Sequence, residues 1–311
     1  MSNDANDVTV VITCCNQADY IVEAVDSVRA QTLQTPSIIV VDDGSDDPRT
    51  IRVLDELSDS GVWVIHQRNA GVSSARNRGI RAASSTFVAV LDGDDRFKPH
   101  FLESAVDLLH HDDSLVAASS WMSTFGVLES TVKPLGGDIG AFLARNNCPA
   151  ACVFRRDLAL SAGGYDEDMR AGFEDWDFYL TILEHMEQAD STHGRIGIIP
   201  EPLIEYRTSS TSSNIASMGK RLELMRLIIR KHQQSYQAHL CDVILGIETV
   251  SMQRLELWER TVRHHPELLG GNSPSALFMQ EPSYGDGGMA AAVRIRSGTE
   301  ALAEKGKPKV V

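Results

Sequence analysis

Apolar residues in this chain recur in short unbroken runs and at helical spacing, and the two patterns alternate. Val8 to Thr13 is β-branched and unbroken, as in a parallel strand covered on both faces. Tyr20 to Ala30 follows with Ile21, Ala24, Val25 and Val28 on one helical face. Ser37 to Val41 repeats the buried-strand signal, Asp42-Asp43-Gly44-Ser45 is turn chemistry, and Pro48 suits the first turn of a helix through Ile51, Leu54 and Leu57. A strand at Val62 to Ile65, a helix at Ser73 to Ala83 and a strand at Phe87 to Leu91 complete the series. This β-α-β-α-β-α-β order predicts an α/β fold with a Rossmann-like, mostly parallel central sheet flanked by helices.

Beyond Asp95 the alternation loosens. Pro99 to Leu109 reads as a helix, Leu115 to Ser119 and Ala151 to Phe154 as strands, and Phe173 to Glu184 as a helix with Trp176, Leu180 and Leu183 on one side. After a Ser/Thr-rich loop at Ser209 to Ser213, Leu222 to His232 and Val243 to His264 are amphipathic helices. From about Glu281 small residues and then lysines predict a flexible tail. The expected divisions are 1–95 and 96–208 as two halves of one α/β domain, 209–282 as a helical C-terminal extension, and 283–311 as the tail.

Composition narrows the classes. With 311 residues, 42% of them apolar, the chain can bury a sizeable core. Lys and Arg total 29 against 43 Asp and Glu, a net charge of -14, which argues against nucleic acid as a partner. The five cysteines lack paired spacing, which makes a reducing cytoplasm the default. No apolar run is long enough for a transmembrane segment, and Met1 to Asp7 is polar rather than a signal sequence; peripheral membrane association stays open.

Polar residues concentrate at four places. Asp42-Asp43 follows the second strand and Leu91-Asp92-Gly93-Asp94-Asp95 the fourth, so both acid groups are expected at the carboxyl edge of the sheet, where open α/β folds bind ligands. Clustered acids there suit a hard cation and a ribose, and a solvated turn is the competing explanation. Asn69 to Gly79 brings Arg76 and Arg78 to the first turns of a helix, fit for an anion such as a pyrophosphate or simply a basic surface. Gly172-Phe173-Glu174-Asp175-Trp176-Asp177 opens a helix with acids that either complement its dipole or include a general base.

In this order the motifs resemble the inverting family 2 glycosyltransferases with the GT-A fold. They are V-V-I-T-C-C-N-Q at Val10 to Gln17, V-V-D-D-G-S at Val40 to Ser45, N-A-G-V-S-S-A-R-N-R-G at Asn69 to Gly79, L-D-G-D-D at Leu91 to Asp95, G-G-Y-D at Gly163 to Asp166 and E-D-W at Glu174 to Trp176. The resemblance implies a metal-dependent enzyme that moves a sugar from a nucleoside-diphosphate sugar, a UDP-sugar favoured, to a hydroxyl acceptor. It implies that Thr13, Asn16 and Asp43 bind the nucleotide, that Arg76 sits beside base or phosphate, and that Asp92 and Asp94 form the D-x-D pair on ribose and cation. Asp94 and Asp95 would hold Mg²⁺ or Mn²⁺, Asp175 would deprotonate the acceptor, and Glu174 would orient it. Two positions depart from the family: Cys15 stands where a bulky residue is usual, and Ser209 where His is common. Competing functions are a sugar-nucleotide nucleotidyltransferase, which would want a Gly-rich loop in place of Cys14 to Gln17, and a non-catalytic nucleotide-sugar binder. For the helix Leu222 to His232, with its basic rim, the expectation is packing on the catalytic domain or a second subunit, an anionic membrane being the alternative.

Overall fold

The computed structural model describes residues 7–33, 36–190, 193–209, 217, 219–281, 288, 291–293 and 295. The described residues fall into two compact units that divide after Leu240. The tail expected from 283 and the loop at 210–213 lie almost wholly outside the described residues.

The first unit opens with β1 (Val8–Cys14), α1 (Ile21–Arg29), β2 (Ser37–Asp43), α2 (Pro48–Asp59), β3 (Trp63–Gln67), α3 (Val72–Ala82) and β4 (Phe87–Asp92), the alternation the hydrophobic pattern predicts. Every residue of β1 is buried, because helices cover both faces of its parallel neighbours. The four residues expected on the inner face of α1, Ile21, Ala24, Val25 and Val28, are the ones buried. Asp47 caps α2 by accepting from the N–H groups of Arg49 and Thr50, with Pro48 in the first turn. Helix α3 lies so close to β1 that a Cβ on Gly79 would stand 2.3 Å from Val11 Cγ1, which explains the glycine in its motif.

The unit continues with β5 (Arg96–Phe97), α4 (Phe101–His111), β6 (Leu115–Gly126), β7 (Ser130–Val132), α5 (Ile139–Ala144), β8 (Cys152–Arg155), α6 (Arg156–Ser161), α7 (Glu174–Asp190), β9 (Arg195–Thr208), α8 (Arg221–Lys231) and α9 (Gln233–Ala238). The strand order is β3-β2-β1-β4-β8-β6-β9-β5, with β7 on β6. Pairings among β1 to β4 are parallel; β8 joins antiparallel to β4 and β6, and β6 with β9 is again parallel. Strand β6 runs seven residues past the expected end at Ser119, and β9 is not announced by the hydrophobic pattern at all. Pro200 and Pro202 interrupt its apolar residues and supply no N–H, and the register shifts on either side of Trp121 absorb them. Helix α8 buries Leu224 and Ile228 and leaves Leu222 and Leu227 of the same apolar set exposed.

The second unit contains α10 (Leu240–His264) from its second residue on, a 3-10 turn (Pro266–Leu269) and α11 (Pro274–Gln280). Within it Trp258 lies 4.3 Å from the Phe278 ring and its Nε1 donates to Ser275 Oγ at 3.4 Å. No helix among the described residues is long and apolar enough to cross a membrane.

Candidate active site

The parallel register aligns the carboxyl ends of the first strands. Thr13 stands opposite Val41 in β2 and Asp92 in β4, and Cys14 stands opposite Asp42. The edge between β1 and β4 is where strand order reverses, the crevice in which open α/β sheets hold ligands. Thr13 Oγ1 donates to Asp92 Oδ1 at 3.2 Å, and Gly93 N–H donates to the Thr13 carbonyl at 2.9 Å. A Cβ at Gly93 would stand 2.7 Å from that carbonyl and 2.6 Å from Gln17 Oε1, so the acid loop crosses β1 only because position 93 lacks a side chain.

Asp43 turns toward the loop after β3. Its Oδ1 accepts from Ala70 N–H and Gln67 Nε2 and its Oδ2 from Gly71 N–H, at 2.8, 2.9 and 2.8 Å. Asn16, in the left-handed region at φ 53°, ties the first β-α loop to the second: its Oδ1 accepts from Asp46 and Asp47 N–H, and its Nδ2 donates to Asp46. Asn16 and Asp43, two of the residues expected on the nucleotide, therefore also hold loops of this edge together. Cys15, beside them, is exposed.

Arg76 is 2% exposed and joins the two halves of the site. Its Nη2 donates to Asp92 Oδ1 at 2.8 Å and its Nη1 to Glu174 Oε1 at 3.1 Å, while the Tyr165 ring lies 5.3 Å away. Burial opposes its charge, but Asp92 leads the groups that outweigh it and keep the guanidinium protonated. Asn77, next on α3, exchanges hydrogen bonds with Tyr165 backbone at 2.8 Å each way, which docks the G-G-Y-D segment; a Cβ on Gly164 would meet Asn77 Oδ1 at 2.5 Å.

At the start of α7 the chain passes through Gly172 at φ 115° and Phe173 at φ 65°, a conformation a bulky residue rarely adopts. The acids that follow diverge: Glu174 meets Arg76, while Asp175 Oδ2 accepts from Asn146 Nδ2 at 2.9 Å and Oδ1 from Trp176 N–H at 2.8 Å. Burial and then the neighbouring Glu174 charge push Asp175 up to about 7, with Arg76 and the two hydrogen bonds working the other way. A carboxyl poised there can accept a proton near neutrality.

Asp94 and Asp95 project beyond β4. Burial pushes Asp94 up, aided by the Asp92 charge, and pushes Asp95 well above the aspartate range. Asp95 Oδ1 accepts from Arg207 N–H at 2.8 Å and the Asp94 carbonyl accepts from Arg207 Nε at 2.9 Å. No side-chain cation lies within ion-pair distance of the Asp94 carboxylate among the described residues. No group of three metal-ligating side chains stands among them either, so an ion here would draw on two carboxylates and on ligand oxygens, the usual condition for Mg²⁺. Ser209 follows, exposed, at the end of β9.

The geometry thus brings Thr13, Asp43, Arg76, Asp92, Asp94, Asp95, Glu174 and Asp175 to one sheet edge. Sequence reasoning missed Asn146 and Arg207. Asn146 sits in an unremarkable R-N-N run, and Arg207 falls in the strand that the prolines hide; its one signal is the Tyr206-Arg207 pair.

Residues 9–158 match the description glycosyl transferase family 2. The uncharacterized glycosyltransferase YwdF of Bacillus subtilis is 26% identical over 72% of this chain and 84% of its own length. EpsJ of the same organism is 41% identical over 28% of this chain, and the succinoglycan biosynthesis protein ExoO of Rhizobium meliloti 41% identical over 32%. The matched stretches span only 26% of EpsJ and 29% of ExoO. In fold, the chain resembles S. aureus TarS 1-349 in complex with UDP, with a TM-score of 0.56 and 16% identity over 98% of this chain and 94% of that one. The α/β sheet with its flanking helices has the GT-A fold, and residues 9–158, just under half of the chain, are similar to glycosyl transferase family 2.

Proposed function

We propose that the protein transfers a sugar, with inversion, from a nucleoside-diphosphate sugar to a hydroxyl acceptor. The observation that carries this reading is the Arg76 bridge, which sets the donor-side acid Asp92 and Glu174, at the start of α7, around one buried guanidinium. Thr13 and Asp43 would line the edge on which the nucleotide lies, and Asp92 would meet the ribose. Asp94 and Asp95 would hold Mg²⁺ or Mn²⁺; such an ion supplies charge neutralisation on the departing diphosphate. Asp175 would take the acceptor proton as the acceptor oxygen bonds to the anomeric carbon and the bond to the diphosphate breaks. Glu174, fixed by Arg76, would orient the acceptor and keep the Asp175 proton affinity high. No covalent intermediate is needed for one displacement with inversion.

A UDP-sugar is the favoured donor, supported by the bound UDP of the TarS structure. A glycan or lipid-linked acceptor is supported by the role that ExoO's name gives it in succinoglycan biosynthesis. Five unpaired cysteines support a reducing compartment. Thermal shift with a panel of nucleoside diphosphates, with and without Mn²⁺, tests the donor side: UDP with Mn²⁺ should raise the melting temperature most, because a ligand confined to the folded state stabilises it. Equal or absent shifts for every nucleotide would reject the reading.

A further inference from the structure

Apolar burial accounts for only part of how α8 is attached. At its end Lys231 Nζ reaches the Asp177 carboxylate at 2.7 Å and also pairs with Asp166. His232, which ends the helix, has Nε2 3.1 Å from Asp177 Oδ1 and Nδ1 2.8 Å from Glu184 Oε2, and Ser235 Oγ donates to the same Glu184 at the far side. The side chains of Asp177 and His232 are 2% and 3% exposed. Burial works against the imidazolium, yet hydrogen bonds and charge from Asp177 and Glu184 hold it up to about 9, so both ring nitrogens donate at neutral pH. Three acids, Asp166, Asp177 and Glu184, thus close around two cations, and both oxygens of Asp177 are engaged.

Asp177 stands two residues beyond Asp175, in the first turn of α7. Ser217, ahead of α8, and Arg221, in its first turn, meet the backbone and rings around this turn. Ser217 lies against Gly172, where an added Cβ would come within 2.6 Å of its Cβ. The Arg221 guanidinium stands 5.5 Å from the Phe173 ring and 5.9 Å from that of Trp176. A left-handed phenylalanine persists only where its surroundings over-determine it, and Arg221 of α8 supplies part of those surroundings. A buried ion cluster adds little net stability, so its closeness to the strained turn points to geometry as its use.

We propose that Lys231 and His232 are positioning residues: by clamping Asp177 from α8 they fix the first turn of α7, and so the place where the Glu174 and Asp175 carboxylates stand. Resting on the transfer reaction proposed above, the clamp makes an element outside the family match a determinant of turnover and not of donor binding.

The test uses the full chain and the variants Lys231→Gln, His232→Gln and Lys231→Arg, with the exposed Arg226→Gln as control. UDP affinity with Mn²⁺, the pH profile of UDP release from a UDP-sugar, and hydrogen exchange of the peptide covering 173–178 are measured. For Lys231→Gln and His232→Gln, UDP affinity should stay within about twofold, kcat should fall by roughly tenfold or more, the acid limb should move from near pH 7, and exchange should speed up by about tenfold. Lys231→Arg should recover most of the lost rate, and the control should behave as wild type. Folded variants with unchanged kcat and acid limb would overturn the proposal, even if exchange rises. Should His232→Gln fail to fold, the partly exposed Lys231 and its arginine rescue decide the matter. If the wild-type chain releases no UDP, the transfer reading fails, and unchanged exchange in the variants would separately refute the clamp.

Discussion

Arg76 donates to Glu174 across 98 positions of chain, at 3.1 Å, while its other terminal nitrogen holds Asp92 at 2.8 Å. The contact joins the end of β4 to the start of α7 and leaves Asp175 free to face away, toward Asn146. Loss of the guanidinium would leave Glu174 and the half-buried Asp92 without their shared cation. Arg76→Met should therefore destabilise the fold by about 3 kcal/mol or more in urea unfolding and abolish donor binding. Arg76→Lys, which cannot fork to both acids, should retain more stability than the methionine variant without restoring turnover. Wild-type-like unfolding of Arg76→Met would contradict the bridge.

Removal of one donor to the candidate base should be visible in the pH profile. Asn146 Nδ2 favours the ionised form of Asp175, so Asn146→Ala should raise the pKa above about 7 and shift the acid limb of kcat to higher pH. Activity should fall at pH 7 and recover toward pH 9. An unshifted limb would show that Asp175 does not set it.

His232 makes a second, separable pH dependence. Its pKa is raised on folding from 6.5 to about 9, so the folded state binds this proton more tightly. The advantage of the protonated over the neutral cluster, on the order of 3 kcal/mol and distinct from the small net worth of the cluster, is fully present below pH 6.5 and lost as pH rises through 9. Denaturant titrations at pH 6 and pH 9.5 should differ more for wild type than for His232→Gln. Equal differences would remove the imidazolium from the account.

Much of the fold was legible because the first strands are buried on both faces and the first helix on one. Ile21, Ala24, Val25 and Val28 were readable as a face from spacing alone. The candidate acids were legible too, since parallel strands must end at one edge. Hidden were the contacts that depend on distant chain: Asn146 to Asp175, Arg207 to the acid loop, and Lys231 and His232 to Asp177. No spacing rule encodes a pairing across 29, 112 or 54 positions. Strand β9 was missed because two prolines break its pattern and a bulged partner strand accommodates them.

The close approach of α3 to β1 yields a prediction free of catalytic assumptions. Gly79→Ala would force a methyl to 2.3 Å from Val11 Cγ1 and should cost about 2 kcal/mol or more of stability, read by chemical unfolding. A neutral effect would mean that the helix moves away freely.

Asp94→Asn should abolish the Mn²⁺-dependent part of UDP binding while leaving the folded protein as stable as wild type or more so, because it removes a carboxylate whose ionisation burial already opposes. Cation-dependent UDP affinity equal to wild type would remove Asp94 from the metal site.

The central claim is that Asp175 takes the acceptor proton. Asp175→Asn keeps the shape and the Asn146 neighbour but cannot accept a proton, so it is compared with wild type and with the exposed Asp113→Asn for transfer from a UDP-sugar with Mn²⁺ present. The account predicts a loss of roughly 10²-fold or more in kcat with UDP affinity unchanged in Asp175→Asn, and no loss in the control. Turnover in Asp175→Asn equal to wild type, or a more severe loss in Glu174→Gln, would contradict it.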